Sequence, residues 1–361
     1  MPTLYLAVTN HGFGHATRAA SVAAALLNLC PDVEIILVTT APKWLLQSYL
    51  PPERITYRPV SFDIGVLQSD SLTMDKAATL EKLTWIRDHQ TEILAPEIEF
   101  IQATGVDLIF GDIPPLLTQL AKAVDLPCWM MSNFGWDFIY WPWGDEFAAI
   151  ADWIADCFSD CDLLFRLPFH EPMTAFPCIT DVGLTGGIPK LTASAVRERF
   201  GITTPKERTI LLTFGGLGLA KIPYEQALQT YPDWQFITFD RQAPALPNLL
   251  KITERWLRPA DLMVVCDRIV SKPGYSTFAE ACRQGVGVAT LPRQGFAEAS
   301  LLLEGIQRHA RHQILDSDAF FDGDWSFLDQ SLVLPTANKL SQDGNEIIAN
   351  AISDYLSARG A

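Results

Sequence analysis

The chain has 361 residues, 48% of them apolar, and a formal net charge of −15. At roughly 150 residues per domain the length suggests two domains, and the negative charge argues against a nucleic-acid partner and against electrostatic docking on anionic lipid. No apolar run approaches the ~20 residues of a membrane span. The N-terminus opens on a short strand-like segment, Leu4 to Val8, rather than on a basic region with a long apolar run, so no signal peptide is expected. The seven cysteines are scattered. Even Cys157 and Cys161, four apart on a predicted helix, lack a His or a second Cys pair nearby, so they read as buried thiols of a cytoplasmic protein with no metal.

After Leu4 to Val8 comes a loop, Thr9-Asn10-His11-Gly12-Phe13-Gly14-His15, continuing through Arg18. A helical pattern follows to Leu27, then a β-rich run from Val33 to Val38. The order strand, Gly-rich loop, helix, strand opens a parallel α/β sheet. Gly12-x-Gly14 does not complete a dinucleotide fingerprint. Thr17 occupies the place of the third Gly, and Thr39 and Thr40 stand where the acid closing the second strand belongs. What the loop offers is His11, His15 and Arg18 at a strand's C-terminal end, the edge where open α/β sheets bind ligands. A single His is more often structural, but two at that edge are candidates for a general base.

Asp75 to Ala103 reads as mostly helical, interrupted near Pro96. Val106 to Phe110 is a predicted strand with Asp112 at its C-terminal end. Leu116 to Val124 reads as helix and Cys128 to Met131 as strand. The next segment, Ser132 to Trp143, is dense in aromatics, with Asn133 and Asp137 among them. It reads as a packed aromatic cluster, or as a wall that holds a sugar or an apolar acceptor. A membrane-facing patch of Trp136, Phe138, Trp141 and Trp143 is disfavoured because no basic residues flank it. Helix Glu146 to Phe158 and strand Leu163 to Phe165 precede a segment rich in Pro and Gly, Pro168 to Pro189, which marks a domain seam.

In the second half, strand Thr209 to Phe214 runs into Gly215-Gly216-Leu217-Gly218, whose backbone can approach a phosphate. Helix Tyr224 to Thr230 and strands Gln235 to Phe239 and Leu249 to Ile252 follow. An apolar run, Leu262 to Cys266, then leads to the segment Val270 to Glu280. Here a strand, a turn at Pro273-Gly274 and a helix N-terminus succeed one another. Free backbone N–H groups and a positive dipole end suit a phosphate, Ser276 and Thr277 add hydroxyls, and Glu280 is placed to accept from a ribose hydroxyl. Thr277-x-x-Glu280 is equally a capping box. Strand Val286 to Leu291 ends in Pro292-Arg293-Gln294-Gly295-Phe296, a helical run starts at Ala297, and Gly344 to Ser357 reads as an amphipathic helix. No internal repeat or low-complexity segment is found.

Two such sheets with Gly-rich turns facing a cleft resemble the two-domain GT-B glycosyltransferase fold, two Rossmann-like open parallel-sheet domains. Val270 to Glu280, Thr213 to Gly218 and Gly12-x-Gly14-His15 resemble motifs of glycosyltransferase family 28, which includes the N-acetylglucosaminyltransferase of peptidoglycan synthesis and the plant galactolipid synthases. A wider match is similar to the glycosyltransferase-like N-terminal region of plant L-arabinokinases and its stand-alone bacterial relatives. It is carried by His11 to Arg18, Asn133 to Tyr140, Gly274-Tyr275-x-Thr277 with Glu280, and Arg293-x-x-Phe296 with Glu298. The sugar-kinase domain of the plant enzymes is absent from the match. Arg293-Gln294-Gly295-Phe296 also replaces the Gln-rich stretch of the peptidoglycan enzyme, so the sugar is not assigned as N-acetylglucosamine.

The resemblance implies an acceptor-binding domain over residues 1–180 and a nucleotide-sugar domain over 181–343, with the helix at 344–358 packing back on the first. It implies a metal-independent, inverting transferase that uses a nucleotide-diphosphate sugar, most simply a UDP-sugar, as substrate rather than cofactor. The base is expected to be His15, then His11, with Asp112 or Asp137 orienting or replacing it. Donor contacts are assigned to Gly215, Gly216, Gly218, Lys272, Gly274, Ser276, Thr277, Glu280 and Arg293. Acceptor contacts are assigned to Gly12, Gly14, Arg18, Asn133, Trp136 and Tyr140. Two alternatives stand beside this: a sugar-nucleotide epimerase of the same fold, and a non-catalytic sugar-nucleotide-binding module.

Overall fold

The computed structural model describes all residues except 69–72, 217, 220, 221, 360 and 361. Its named strands form two sheets. The first holds β1 (Thr3–Val8), β2 (Glu34–Val38), β3 (Ile55–Arg58), β4 (Leu108–Asp112), β5 (Cys128–Ser132), β6 (Leu163–Arg166) and β7 (Ile179–Asp181), in the order β3-β2-β1-β4-β5-β6-β7. The second holds β8 (Thr209–Thr213), β9 (Gln235–Thr238), β10 (Leu249–Lys251), β11 (Arg268–Ser271), β12 (Gly287–Thr290) and β13 (His312–Ile314), in the order β10-β9-β8-β11-β12-β13. Every pairing between named strands is parallel.

The sequence dictates this layout locally. Strands such as Glu-Ile-Ile-Leu-Val and Thr-Ile-Leu-Leu-Thr are apolar almost throughout and buried along nearly their whole length, as parallel strands covered on both faces must be. In each sheet the strand order reverses once, between β1 and β4 and between β8 and β11. Those reversals are where open α/β sheets place their ligand crevices. One apolar cluster runs from the first sheet through Phe169, Leu184 and Tyr275 into the second.

The last helix, Gly344–Arg359, returns to the first sheet. Cys30 Sγ lies 2.9 Å from Ser353 Oγ, Tyr355 meets the Trp129 ring at 5.1 Å, and Arg359 donates to the Asp107 carbonyl at 2.8 Å. Ile348 and Ile352 on this helix are fully buried.

Several elements differ from the sequence reading. β3, β7 and β13 are short and belong to no clear apolar run. β7 lies in the Pro- and Gly-rich seam and is largely exposed. The long N-terminal helix breaks at His89 rather than at Pro96, giving Lys76–Asp88 and Gln90–Thr104. The His89 ring stacks on Trp85 at 4.7 Å and its Nδ1 lies 2.9 Å from the Trp85 carbonyl oxygen, which turns the chain there, while Pro96 sits inside the second helix. The apolar run Leu262 to Cys266 begins within the helix Pro259–Met263. The cysteines are free thiols, and Cys178 is exposed rather than buried.

Ile352→Ala is expected to cost about 2–4 kcal/mol, the usual loss for truncating a fully buried aliphatic side chain, in chemical denaturation. A loss under about 0.5 kcal/mol means that the last helix is not part of the cooperative fold.

Candidate active site

The strand register builds the first half of the site. β1 pairs β4 with Val8 opposite Asp112, and the helix Gly14–Leu29 starts a few residues after Val8. His15 and Arg18, three apart, therefore share the helix face that looks onto the end of β4. Arg18 grips Asp112 with two bonds, Nε to Oδ2 at 2.6 Å and Nη2 to Oδ1 at 2.6 Å. His15 Nδ1 lies 2.8 Å from Asp112 Oδ1. Arg18 Nη2 is also 3.0 Å from His15 Nδ1. That nitrogen already donates to Asp112 and, at 3.1 Å, to Ser132 Oγ, so we assign the Nδ1 proton of His15 to the Asp112 bond. His15 Nε2 is then the free lone pair.

This cluster is closed to solvent, with Asp112 fully buried and Arg18 1% exposed. Burial alone raises the carboxyl of Asp112, but Arg18 and His15 outweigh it and hold it below the ordinary carboxylate range. Arg18 lines the cleft, but its guanidinium is already committed to protein partners. It is half of a buried ion pair, and its Nη1 donates to Asn133 Oδ1 at 2.7 Å. His11 is driven well below the usual imidazole range, by burial first and then by His15, Lys272 and Arg293.

The second half comes from the other sheet. Ser271 pairs with Thr213 on β8 and with Thr290 on β12, so the turns after these three strands share one edge. They carry Gly215 and Gly216, then Lys272 and Gly274, then Arg293. Gly274 caps the helix Tyr275–Gln284, and no side chain does so. The Thr277-x-x-Glu280 capping box therefore does not form. Glu280 turns inward instead, where its Oε1 accepts from the Gly187 N–H at 2.9 Å and from the Tyr49 hydroxyl at 3.4 Å. Burial, more than any neighbour, raises its carboxyl to about 7.

Contacts across the domains close the cleft. Ser276 Oγ donates to the Gly14 carbonyl at 2.8 Å, Asn133 Nδ2 donates to Glu298 Oε1 at 2.9 Å, and Trp143 Nε1 donates to the Gly295 carbonyl at 2.8 Å. Arg18 lies 4.9 Å over the Tyr275 ring and His11 stacks on Phe296 at 5.7 Å. Phe13 packs so tightly on Gly216 that a Cβ there would sit 2.7 Å from its ring, so only glycine fits.

On one side of Phe13 is a cavity of about 410 Å³ walled by Trp44, Tyr49, Phe239, Arg255 and Glu280. On the other is one of about 100 Å³ holding His11, His15, Gln68, Lys272, Arg293 and Glu298. Phe13, Gly14, Thr213, Gly215, Gly216, Ser276 and Thr277 line both, so the two are one cleft with a shared middle.

Lys272 is half-buried beside the shared middle, and the first cause lowering its ammonium to about 8 is loss of solvent, followed by Arg293, with Glu298 opposing them. Arg293 lies 4.0 Å over Phe296, and its Nε and Nη2 are buried without a hydrogen-bond partner. Among the described residues no group of His, Cys, Asp and Glu is arranged to hold a metal ion, and no helix is long and apolar enough to cross a membrane.

The predicted residues are largely brought together, with clear exceptions. Gly12 and Gly14 line the cleft. Asp137 does not reach it: its carboxylate folds back beside Gly135 and Phe158, Oδ1 has no partner, and burial and then Glu171 raise it to about 6. Tyr140 is buried behind Trp136, its ring stacked at 5.7 Å and its hydroxyl donating to the Gly65 carbonyl at 2.6 Å. Trp136 donates to Thr9 Oγ1 at 3.1 Å and sets its ring against His11 and His15. Asn133 bridges Arg18 and Glu298 rather than facing a ligand. Of the four aromatics of the surface-patch reading only Trp141, at 59%, is well exposed. Gly218 donates its N–H to the Gly215 carbonyl at 3.1 Å and lines neither cavity. Leu217 lies outside the described residues. Sequence reasoning missed Phe13, Gln68, Tyr49 and Arg258. The one signal available was Phe13 between two loop glycines.

No protein-family model matches the chain. It is 29% identical over 360 residues to the L-arabinokinase of Arabidopsis thaliana, an alignment taking in 98% of this chain and 34% of that protein. The chain thus spans about a third of the length of the curated relative it matches. Among solved structures it is similar to Arabidopsis thaliana UGT89C1 in complex with quercetin, with TM-score 0.61, 13% identity and coverage of 98% of this chain and 90% of that one. It is also similar to a UDP-glucosyltransferase from Polygonum tinctorium, with TM-score 0.62, 12% identity and coverage of 100% and 95%. A third is a UDP-glucose:anthocyanidin 3-O-glucosyltransferase in complex with UDP, with TM-score 0.61, 11% identity and coverage of 97% and 94%. The chain has the GT-B fold of these proteins.

Because burial raises the folded-state value of Glu280 above that of the unfolded chain, this carboxyl favours folding only when protonated. Its contribution is complete below the ordinary carboxylate range and is lost as pH climbs through about 7. Glu280→Gln keeps an oxygen for the Gly187 N–H and removes the buried charge. It is expected to raise stability at pH 8 by roughly 1–3 kcal/mol and to change little at pH 5. Denaturant titrations at the two pH values check this, and a Gln variant less stable at pH 8 contradicts it.

Proposed function

We propose that this chain is a glycosyltransferase that moves a sugar from a nucleotide-diphosphate sugar, most simply a UDP-sugar, to an acceptor hydroxyl, inverting and without a metal. The observation that carries the reading is one cleft with a buried His–Asp pair on one wall and, facing it, Lys272 beside a helix N-terminus and a buried Arg293 whose Nε and Nη2 have no hydrogen-bond partner. The fold shared with structures solved in complex with UDP supports the nucleotide. Within this reading residues 1–180 hold the acceptor, residues 181–343 hold the donor, and the last helix belongs with the first domain. The segment Gly274 to Glu280 supports kinship with glycosyltransferase family 28, and the free thiols support a cytoplasmic setting.

The nucleoside occupies the larger cavity, where Glu280 accepts from the ribose. The diphosphate lies in the shared middle against the N–H groups at the start of Tyr275–Gln284, with Lys272 beside it. The sugar reaches the inner cavity. His15 Nε2 takes the proton of the acceptor hydroxyl as its oxygen bonds to the anomeric carbon. The bond from that carbon to the diphosphate oxygen breaks, and the departing nucleotide keeps the electron pair. Charge grows on the diphosphate, and dipoles and Lys272 in a dry cleft are set to stabilise it. Asp112 keeps the imidazole in its tautomer and faces the imidazolium that forms.

His15→Ala is expected to lower turnover ~10²–10⁴-fold while UDP binds within about twofold of wild type. Lys272→Ala is expected to weaken UDP about tenfold or more, the worth of a charge-assisted contact. Assays of sugar transfer, with calorimetry for UDP, test both. Turnover at the wild-type rate in His15→Ala removes the base assignment. Conversion of donor alone into a different sugar nucleotide favours an epimerase, and UDP binding with no consumption of any donor favours a binding module.

A further inference from the structure

The inner cavity is lined by two cations, Lys272 and Arg293, and only the first stands beside the part of the cleft assigned to the diphosphate. Lys272 stands beside the shared middle, since a Cβ on Gly215 would lie 3.4 Å from its Cε. Arg293 lies further in. It does not line the nucleoside cavity, and its neighbours are Phe296, 4.0 Å below the guanidinium, and then His11 stacked on Phe296. Arg293 is 8% exposed, and the two nitrogens left without partners are Nε and Nη2. These form one edge of the guanidinium, whose parallel N–H groups match the two oxygens of a carboxylate. The same edge of Arg18 holds Asp112 in this protein, with both bonds at 2.6 Å. Glu298, whose Oε1 is engaged by Asn133, is the carboxylate whose charge acts on Arg293, but it makes no hydrogen bond to the Nε and Nη2 edge.

We propose that Arg293 is a specificity residue for a carboxylate on the transferred sugar, so that the donor is a nucleotide-diphosphate hexuronate. The inference rests on the glycosyltransferase reading and deepens it. Along the cleft the nucleoside fills the outer cavity, the diphosphate the middle, and the sugar the inner cavity that Arg293 lines. A neutral sugar puts only hydroxyls there, and although the charge of Glu298 acts on Arg293, two buried guanidinium nitrogens stay without a carboxylate acceptor, which is costly. A carboxylate at the sugar's C6 supplies both acceptors at once. The phosphate groups carry the same anionic chemistry, and the test separates the two sources.

Calorimetric titrations compare UDP, UDP-glucose, UDP-galactose, UDP-glucuronate and UDP-galacturonate against wild type, Arg293→Gln and Arg293→Lys. In wild type at least one uronate is expected to bind about tenfold or more tighter than its neutral counterpart. Arg293→Gln is expected to erase that difference while UDP alone binds within about twofold of wild type. Arg293→Lys, which keeps the charge but not the fork, is expected to fall between. Neutral and uronate donors binding wild type equally well overturn the proposal. So does an Arg293→Gln variant that loses as much affinity for UDP as for the uronate, since Arg293 then serves the diphosphate. Failure of every UDP compound to bind any of the three proteins is a different result, and it removes the transferase reading itself.

Discussion

The buried grip of Arg18 on Asp112 is the interaction around which the cleft is arranged. A carboxylate with no exposed surface at the end of β4 is tenable only with a cation at bonding distance. Arg18 is that cation, and it sits one turn beyond His15. The pair therefore fixes how the Gly14–Leu29 helix meets the sheet and, with it, where the imidazole points. It also reaches across the domain seam: Arg18 holds Asn133, Asn133 holds Glu298, and the guanidinium lies over Tyr275. The group assigned as base is thus bonded, through Asp112, Arg18 and Asn133, to the domain assigned the donor.

The donor side is built on the opposite principle. There, among the described residues, the charges are only partly compensated. Lys272 loses more to desolvation and Arg293 than Glu298 restores, Arg293 leaves two donors unmet, and Glu280 is buried with a raised carboxyl. Each arrangement costs stability in the empty protein, and each is relieved by a ligand of the matching charge or hydrogen-bonding pattern. The contrast between a satisfied wall and an unsatisfied one is what sets this cleft apart from a domain seam that only packs.

Much of this was legible in the sequence because parallel sheets place their functional residues at strand C-termini. A short apolar run followed by Gly and a helical pattern located the turns at Gly12, Gly215 and Gly274, and Asp112 stood out as a polar residue ending such a run. What pattern does not carry is the direction of a side chain after a turn. Asp137 sits in a segment that lines the site, yet its carboxylate folds back towards Glu171. Glu280 satisfies the spacing of a helix cap, yet the helix starts at Tyr275 and places Glu280 well inside it. That Arg18 also neutralises a buried carboxylate shows only in the register of β1 on β4, which brings Asp112 beside it. Short half-exposed strands such as β7 escape for a related reason, having too few buried positions to leave a periodicity.

The most direct measurement is a crystal structure of the protein with UDP bound. The expected result is uridine in the cavity walled by Trp44, Tyr49 and Glu280, with the diphosphate against the N–H groups of Ser276 and Thr277 and within reach of Lys272. His15 should then face the position of the absent sugar across a few ångströms. UDP bound elsewhere on the protein, or with its diphosphate turned away from the start of the Tyr275–Gln284 helix, would contradict the assignment of this cleft as the site of sugar transfer.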